Sequence, residues 1–183
     1  MILLINGAFG VGKTTVGRIL RREIKGSVLY NPEWAGSILM RLPISFSGSG
    51  TDDFQDIEMW RRSVVCGIKL FRVIAKETVI VPMTFWRKDY LDQILRGIYE
   101  VDKNVNMFCL TADFQTITKR LEVRGDSVGN GDRHWSGEKA RTCVEVFKQE
   151  GFGEVIDTNN LTPEIAAEII LEKLDFPRET KRF

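Results

Sequence analysis

The eight residues Gly7-Ala8-Phe9-Gly10-Val11-Gly12-Lys13-Thr14 constrain this chain more than any other feature. They follow the short apolar run Ile2-Leu3-Leu4-Ile5 and precede Val16, Ile19, Leu20 and Ile24. The apolar run suits a central parallel strand buried on both faces, and the spacing of three and four marks one face of a helix. A strand, a turn matching G-x-x-x-x-G-K-[ST] and a helix, in that order, form a phosphate-binding loop. Each position has a physical reason. The glycines reach backbone conformations closed to other residues, so successive N–H groups converge on an anion. The helix N-terminus adds its positive end. Lys13 brings a formal charge to the β- and γ-phosphates of a nucleoside triphosphate, ATP or GTP, and the Thr14 hydroxyl is suited to ligate Mg²⁺. Thr15, next in the first helical turn, completes the expected nucleotide-binding run.

The rest of the chain repeats the strand–helix alternation. Ser27 to Tyr30 reads as a second strand after Gly26 ends the first helix, and Asn31-Pro32 terminates it. Residues 36–51 are rich in Gly, Ser and Pro and read as a loop. Asp52, with Gln55 three residues on, predicts a capping box for the long stripe Trp60, Val64, Ile68, Phe71, Ile74. Strands are predicted at Thr78–Met83, Val105–Leu110 and Glu154–Ile156. Helices are predicted around Leu91–Ile98, Phe114–Leu121, Ala140–Phe147 and, after the N-cap Thr162-Pro163, Ile165–Leu174. Such alternation predicts an α/β domain spanning residues 1–183, a parallel sheet between helices, with ligands at the carboxyl ends of the strands. Residues 122–137 break the pattern with clustered glycines and charges, and are expected to form a surface lid.

Composition narrows the function classes. With 26 basic and 25 acidic residues the net charge is +1, so no bulk attraction to nucleic acid is expected. The N-terminus lacks the pattern of a signal peptide, and no segment has the ~20 apolar residues of a transmembrane helix. A cytoplasmic location is the expectation. Cys66, Cys109 and Cys143 lie far apart in apolar stretches and are expected to be buried, reduced thiols. A single histidine, His134, excludes a multi-histidine metal site. The sequence leaves a homodimer open.

The remaining polar residues bear on chemistry. Glu33 follows the second strand, beside the loop on a doubly wound sheet, where a carboxylate can take a proton from an acceptor hydroxyl; a solvated glutamate is the alternative. Asp53 competes for that role or for a metal contact through water. The third strand ends Val81-Pro82-Met83-Thr84, where many NTPases carry a metal-holding aspartate. Arg120 and Arg124, one helical turn apart before the lid, are candidates to stabilise a transferring phosphoryl group, with Arg133 beyond them. Thr158 and Asn159, after the fifth strand, are candidate contacts to the base or ribose, or plain turn residues. Trp34 and Trp86 lie near strand ends, where an aromatic can stack on a planar substrate.

Together, Asn6-Gly7-Ala8-Phe9-Gly10, Tyr30-x-Pro32-Glu33, Asp52-Asp53-Phe54-Gln55, Trp60-Arg61, Val81-Pro82-Met83-Thr84 and Asp157-Thr158-x-Asn160 resemble the tunicamycin-resistance protein family of bacteria. The resemblance runs from residue 2 to about 172. It implies a three-layer P-loop NTPase fold like that of adenylate, nucleoside and shikimate kinases, with five parallel strands in the order 2-3-1-4-5. It also implies ATP and Mg²⁺ as cofactors. Where related small-molecule kinases often carry Asp-x-Asp, this chain has Asn31-x-Glu33. The function expected is phosphoryl transfer to a small molecule, a nucleoside antibiotic such as tunicamycin among the candidates. The alternatives are an ATP-gated binding protein without chemistry and a nucleotide- or shikimate-type metabolite kinase.

Overall fold

The computed structural model describes residues 1–33, 53–123, 125 and 134–176, with residues 134–139 described by their backbone only. In chain order the elements are β1 (Ile2–Gly7), α1 (Lys13–Glu23), β2 (Val28–Leu29), a 3₁₀ turn (Phe54–Asp56), α2 (Glu58–Ile74), β3 (Val79–Pro82), α3 (Lys88–Val101), β4 (Val105–Thr111), α4 (Phe114–Val123), α5 (His134–Val146), β5 (Glu154–Asp157) and α6 (Pro163–Lys173). The strands form one parallel sheet in the order β2-β3-β1-β4-β5, as the resemblance implies.

The continuous apolar run of β1 explains its place. Ile2–Ile5 pairs with Val79–Pro82 on one side, and Ile2–Gly7 with Val105–Leu110 on the other. All six residues of β1 are buried, because helices cover both faces of the sheet. α1 buries Val16, Gly17 and Leu20 and packs with α6, while α2 buries Trp60, Val64 and Ile68 and packs with α3. α6 starts as its sequence dictates: Thr162 caps it, accepting from the Ile165 N–H, and Pro163 opens the first turn. β2 is shorter than the sequence suggests; it is an edge strand, with β3 as its only partner among the described residues. Its hydrogen bonding still reaches the Tyr30 N–H, which donates to the Ile80 carbonyl at 2.9 Å.

Three expectations change. The cap on Gln55 comes from Asp53, whose Oδ1 accepts the Gln55 N–H at 3.0 Å and starts a 3₁₀ turn. Buried Ile57 then takes an extended conformation, so the long helix begins only at Glu58. The second change is at α5, which begins at His134, inside the expected lid of residues 122–137. The third is Cys66, which is exposed on α2 because position 66 falls off the Val64–Ile68 stripe; Cys109 and Cys143 are buried, and none of the three forms a disulfide among the described residues. Residues 34–52, Arg124 and Arg133 lie outside the described residues, and with them Trp34, the expected Gly/Ser/Pro loop, Asp52 and most of the lid.

Candidate functional site

The loop leaves β1 at Gly7 and turns back through Gly10 and Gly12, whose φ angles are 82° and 109°. These two glycines serve different ends. A Cβ on Gly10 would lie 2.8 Å from the Leu121 side chain of α4, so the loop packs directly on that helix. A Cβ on Gly12 would meet nothing within 4 Å. Gly12 is needed for its left-handed backbone and for the open space in front of it. It is also the N-cap of α1, which begins with no side-chain cap and no acidic residue in its first turn. The positive end of that helix is therefore left for an anion.

Asn6 anchors this loop, and the sequence pattern does not single it out. It is fully buried, a lone amide near the end of an apolar strand. Its Oδ1 accepts the N–H groups of Gly7 (2.9 Å) and Phe85 (2.8 Å). Its Nδ2 donates to the carbonyls of Phe85 (3.2 Å) and Phe152 (3.3 Å). One side chain thus ties the start of the loop to the exit of β3 and to the approach to β5. The available signal is a polar residue where burial on both faces is expected.

Lys13 is 7% exposed, and its Nζ donates to the Ala8 carbonyl at 2.9 Å. The ammonium also lies 5.6 Å from the centre of the Phe9 ring. It is held across the loop on the same cavity that Thr14 lines. Cys109 pairs with Asn6 in the sheet register beneath the loop. Burial pushes its thiol up to about 12, against the pull of the Lys13 ammonium, which makes it an inert packing group.

Residues Phe9–Val16 line a cavity of about 440 Å³ together with Glu33, Arg120 and Thr158. The fold thus brings the loop, the end of β2, α4 and the end of β5 to one space. Glu33 sits in a turn that Asn31 closes, its N–H donating to Asn31 Oδ1 at 2.9 Å. Arg120 reaches across from α4. Its Nη1 donates to the Val11 carbonyl (3.3 Å) and Thr158 Oγ1 (3.1 Å), and its Nη2 donates to the Thr158 carbonyl (2.6 Å). The guanidinium therefore clamps the phosphate loop to the β5–α6 turn. The Thr158 hydroxyl in turn donates to the Thr111 carbonyl at 2.9 Å.

Two candidates lie away from the lining. Asn159 Oδ1 accepts the Asp113 N–H at 2.9 Å and braces the turn into α4. Asp53 is 6% exposed, capping Gln55 through Oδ1 and accepting the Trp86 indole N–H through Oδ2 at 3.2 Å. Trp86 is thereby tied edge-on to a carboxylate. Thr84, where many NTPases place an acid, is fully buried, and among the described residues its hydroxyl has no hydrogen-bond partner.

No protein-family model matches the chain, and no curated protein sequence matches it. Solved structures do. The tunicamycin resistance protein of Deinococcus radiodurans is 24% identical, with a TM-score of 0.73 over 96% of each chain. A sugar kinase from Janibacter sp. HTCC2649 is 22% identical, with a TM-score of 0.67 over 95% of this chain and 94% of that one. A shikimate kinase from Bacteroides thetaiotaomicron is 13% identical, with a TM-score of 0.63 over 96% of this chain and 99% of that one. At such identities the likeness speaks to architecture, and it agrees with the strand order and the loop geometry: this chain has the α/β P-loop fold of small-molecule kinases.

Proposed function

We propose that this protein is an ATP- and Mg²⁺-dependent phosphotransferase acting on a hydroxyl group of a small molecule. The observation that carries the reading is the single cavity on which the phosphate loop, Glu33 and Arg120 all open. An uncapped helix N-terminus, Lys13 and open space before Gly12 suit a triphosphate. Thr14 lines the same space, and its hydroxyl suits Mg²⁺. Bound there, the ion would neutralise charge on the β- and γ-phosphates.

In this reading Glu33 receives the proton of the acceptor hydroxyl as its oxygen bonds to the γ-phosphorus, while the bond from that phosphorus to ADP breaks. Lys13 stabilises charge on the phosphoryl group. Arg120 sets the loop against the β5–α6 turn and adds positive charge at the rim; Arg124 would extend that charge. Thr158 lines the nucleotide side, with Asn159 bracing the turn behind it. Asp53, held by Trp86, lies beyond the cavity lining and is assigned to the acceptor side. A uridine-containing antibiotic such as tunicamycin is one acceptor to test, on the likeness to the Deinococcus protein; sugars and shikimate are others, on the likeness to the kinases. Transfer of ³²P from γ-labelled ATP to a panel of these compounds tests the reading. ATP binding without labelling of any acceptor would defeat it.

A second reading is favoured by Thr84 alone. An alcohol in place of an acid at the end of β3 suits a protein that binds ATP and a ligand without chemistry. Calorimetry on ATP and ligand, followed by nucleotide analysis, separates the two: intact ATP after saturation supports sequestration, and ADP with modified ligand excludes it. No helix among the described residues is long and apolar enough to cross a membrane.

A further inference from the structure

We infer that helix α2 is the positioning element for Glu33, acting through the indole N–H of Trp60. The inference rests on the proposed role of Glu33 toward the acceptor. Trp60 is fully buried, so its one polar atom must find a partner inside the protein. That partner is the Pro32 carbonyl, at 3.2 Å. The same peptide unit carries the Glu33 N–H, which donates to Asn31 Oδ1 at 2.9 Å. Both polar groups of the peptide plane that delivers Glu33 are therefore fixed, one by helix α2 and one by the local turn. A plane held at both ends leaves the Glu33 Cα little freedom, at a residue that lines the cavity.

The contact continues along the helix. The Tyr30 ring stacks on Phe71 with centroids 4.9 Å apart and planes 24° apart. Its hydroxyl lies 3.5 Å from the Ser63 carbonyl. A Cβ on Gly67 would sit 2.2 Å from that hydroxyl, so a side chain there would displace the Tyr30 ring. Positions 60, 63, 67 and 71 are spaced three and four apart and form one face of α2. The segment from Tyr30 to Glu33 thus lies along this face. Trp60 is a positioning residue: it touches the backbone before Glu33 and lines no part of the cavity.

The test uses the full chain, isotopically labelled, with Trp60→Phe, Gly67→Ala and, as a control in the same helix, Ile68→Val. Ile68 is buried but absent from these contacts. Amide exchange and NMR shifts at Glu33 are the readout that does not depend on turnover. Trp60→Phe is expected to speed exchange of the Glu33 amide about tenfold and to move its shifts, with Ile68→Val leaving both unchanged. Gly67→Ala should move Glu33 in the same way, which keeps the inference testable if Trp60→Phe folds poorly. In steady state, Trp60→Phe should lower kcat by about 10- to 100-fold, the range for a small misplacement of a reacting group, and leave KM for ATP unchanged. A Glu33 amide unmoved in both Trp60→Phe and Gly67→Ala overturns the inference whatever the kinetics. If Glu33→Gln turns over normally while Trp60→Phe still moves Glu33, the proposed role of Glu33 fails and the positioning stands.

Discussion

Replacing Gly10 and Gly12 by alanine, one at a time, should separate folding from phosphate binding within one loop. Both residues have a left-handed φ, so each alanine carries backbone strain of ~1–3 kcal/mol. Gly10→Ala adds a second cost, because its Cβ would lie 2.8 Å from Leu121 Cγ, 3.0 Å from Cδ2 and 3.1 Å from Ile117 Cγ2. Leu121 and Ile117 are themselves buried, so they cannot swing out of the way. Overpacking of this kind costs a further ~1–3 kcal/mol. Gly12→Ala meets no atom within 4 Å and pays the strain alone. Its methyl group instead enters the open space at the cavity lining, where phosphate oxygens would approach the backbone in the proposed function. Urea unfolding should therefore rank Gly10→Ala as the less stable variant by ~1–3 kcal/mol, about 1 M in midpoint at the slope usual for small domains. Calorimetry with ATP, on both variants held well inside their folded range, should give the larger loss of affinity to Gly12→Ala. The reasoning is refuted if Gly12→Ala is the less stable of the two, or if it binds ATP as the wild type does.

Lys13→Met should weaken ATP binding by at least about 100-fold, equivalent to roughly 3 kcal/mol, with little change in melting temperature, as read by titration calorimetry and thermal unfolding. Arg120→Lys keeps the charge but loses the fork that reaches Val11 and Thr158 at once. It should cost ~1–3 kcal/mol in urea and loosen ATP binding, and an unchanged urea midpoint would argue against the clamp. Asp102 predicts a pH effect. Partial burial raises its carboxyl, but the Arg72 guanidinium at 2.8 Å, the Asn104 N–H and the N-terminal ammonium at 3.1 Å outweigh it and hold the pKa at about 2, below the usual 3.8. A lowered carboxylate pKa gives stability that is complete above the unfolded value and is lost as pH falls toward the folded one. Asp102→Asn should therefore cost about 2 kcal/mol at pH 7, with the difference from wild type closing between pH 4 and about 2 in urea titrations.

The sheet was legible because burial on both faces leaves a direct mark. Ile2–Ile5 and Val79–Val81 are apolar without alternation, and that pattern suits a central parallel strand between helix layers. Where local chemistry competes with periodicity, the sequence misleads. Asp52 and Asp53 are adjacent, either can cap, and only the fold decides that Asp53 takes the Gln55 N–H and that Ile57 interrupts the run before α2. Cys66 looks like a core residue by its neighbours, yet it sits off a stripe whose buried members are Val64 and Ile68. The start of α5 was hidden for another reason: Gly137 and the charges around it read as loop, although the helix already holds them.

The candidate site follows the same division. A phosphate loop is legible because its chemistry lies in eight consecutive residues. The contacts that orient it join residues 79 to 146 positions apart, such as Asn6 with Phe85 and Phe152, or Arg120 with Val11. No local pattern encodes such pairs, so the sequence offers Asn6 only as part of a motif and Arg120 only as a candidate cation for the phosphoryl group, without the partners that hold either. This changes what Arg120 is expected to do. A guanidinium with three hydrogen bonds to the loop and to Thr158 is held in place before any phosphate arrives. In the proposed reaction its charge would act on the nucleotide from a fixed position in the cavity lining, with no closing lid needed to bring it there. The sequence's further candidates for a cation at the transferring group are Arg124 and Arg133. In the proposed reaction, deleting residues 126–133 of the expected lid should accordingly spare ATP affinity, which the loop and Arg120 would supply, and lower turnover, as parallel calorimetry and phosphoryl-transfer assays would register.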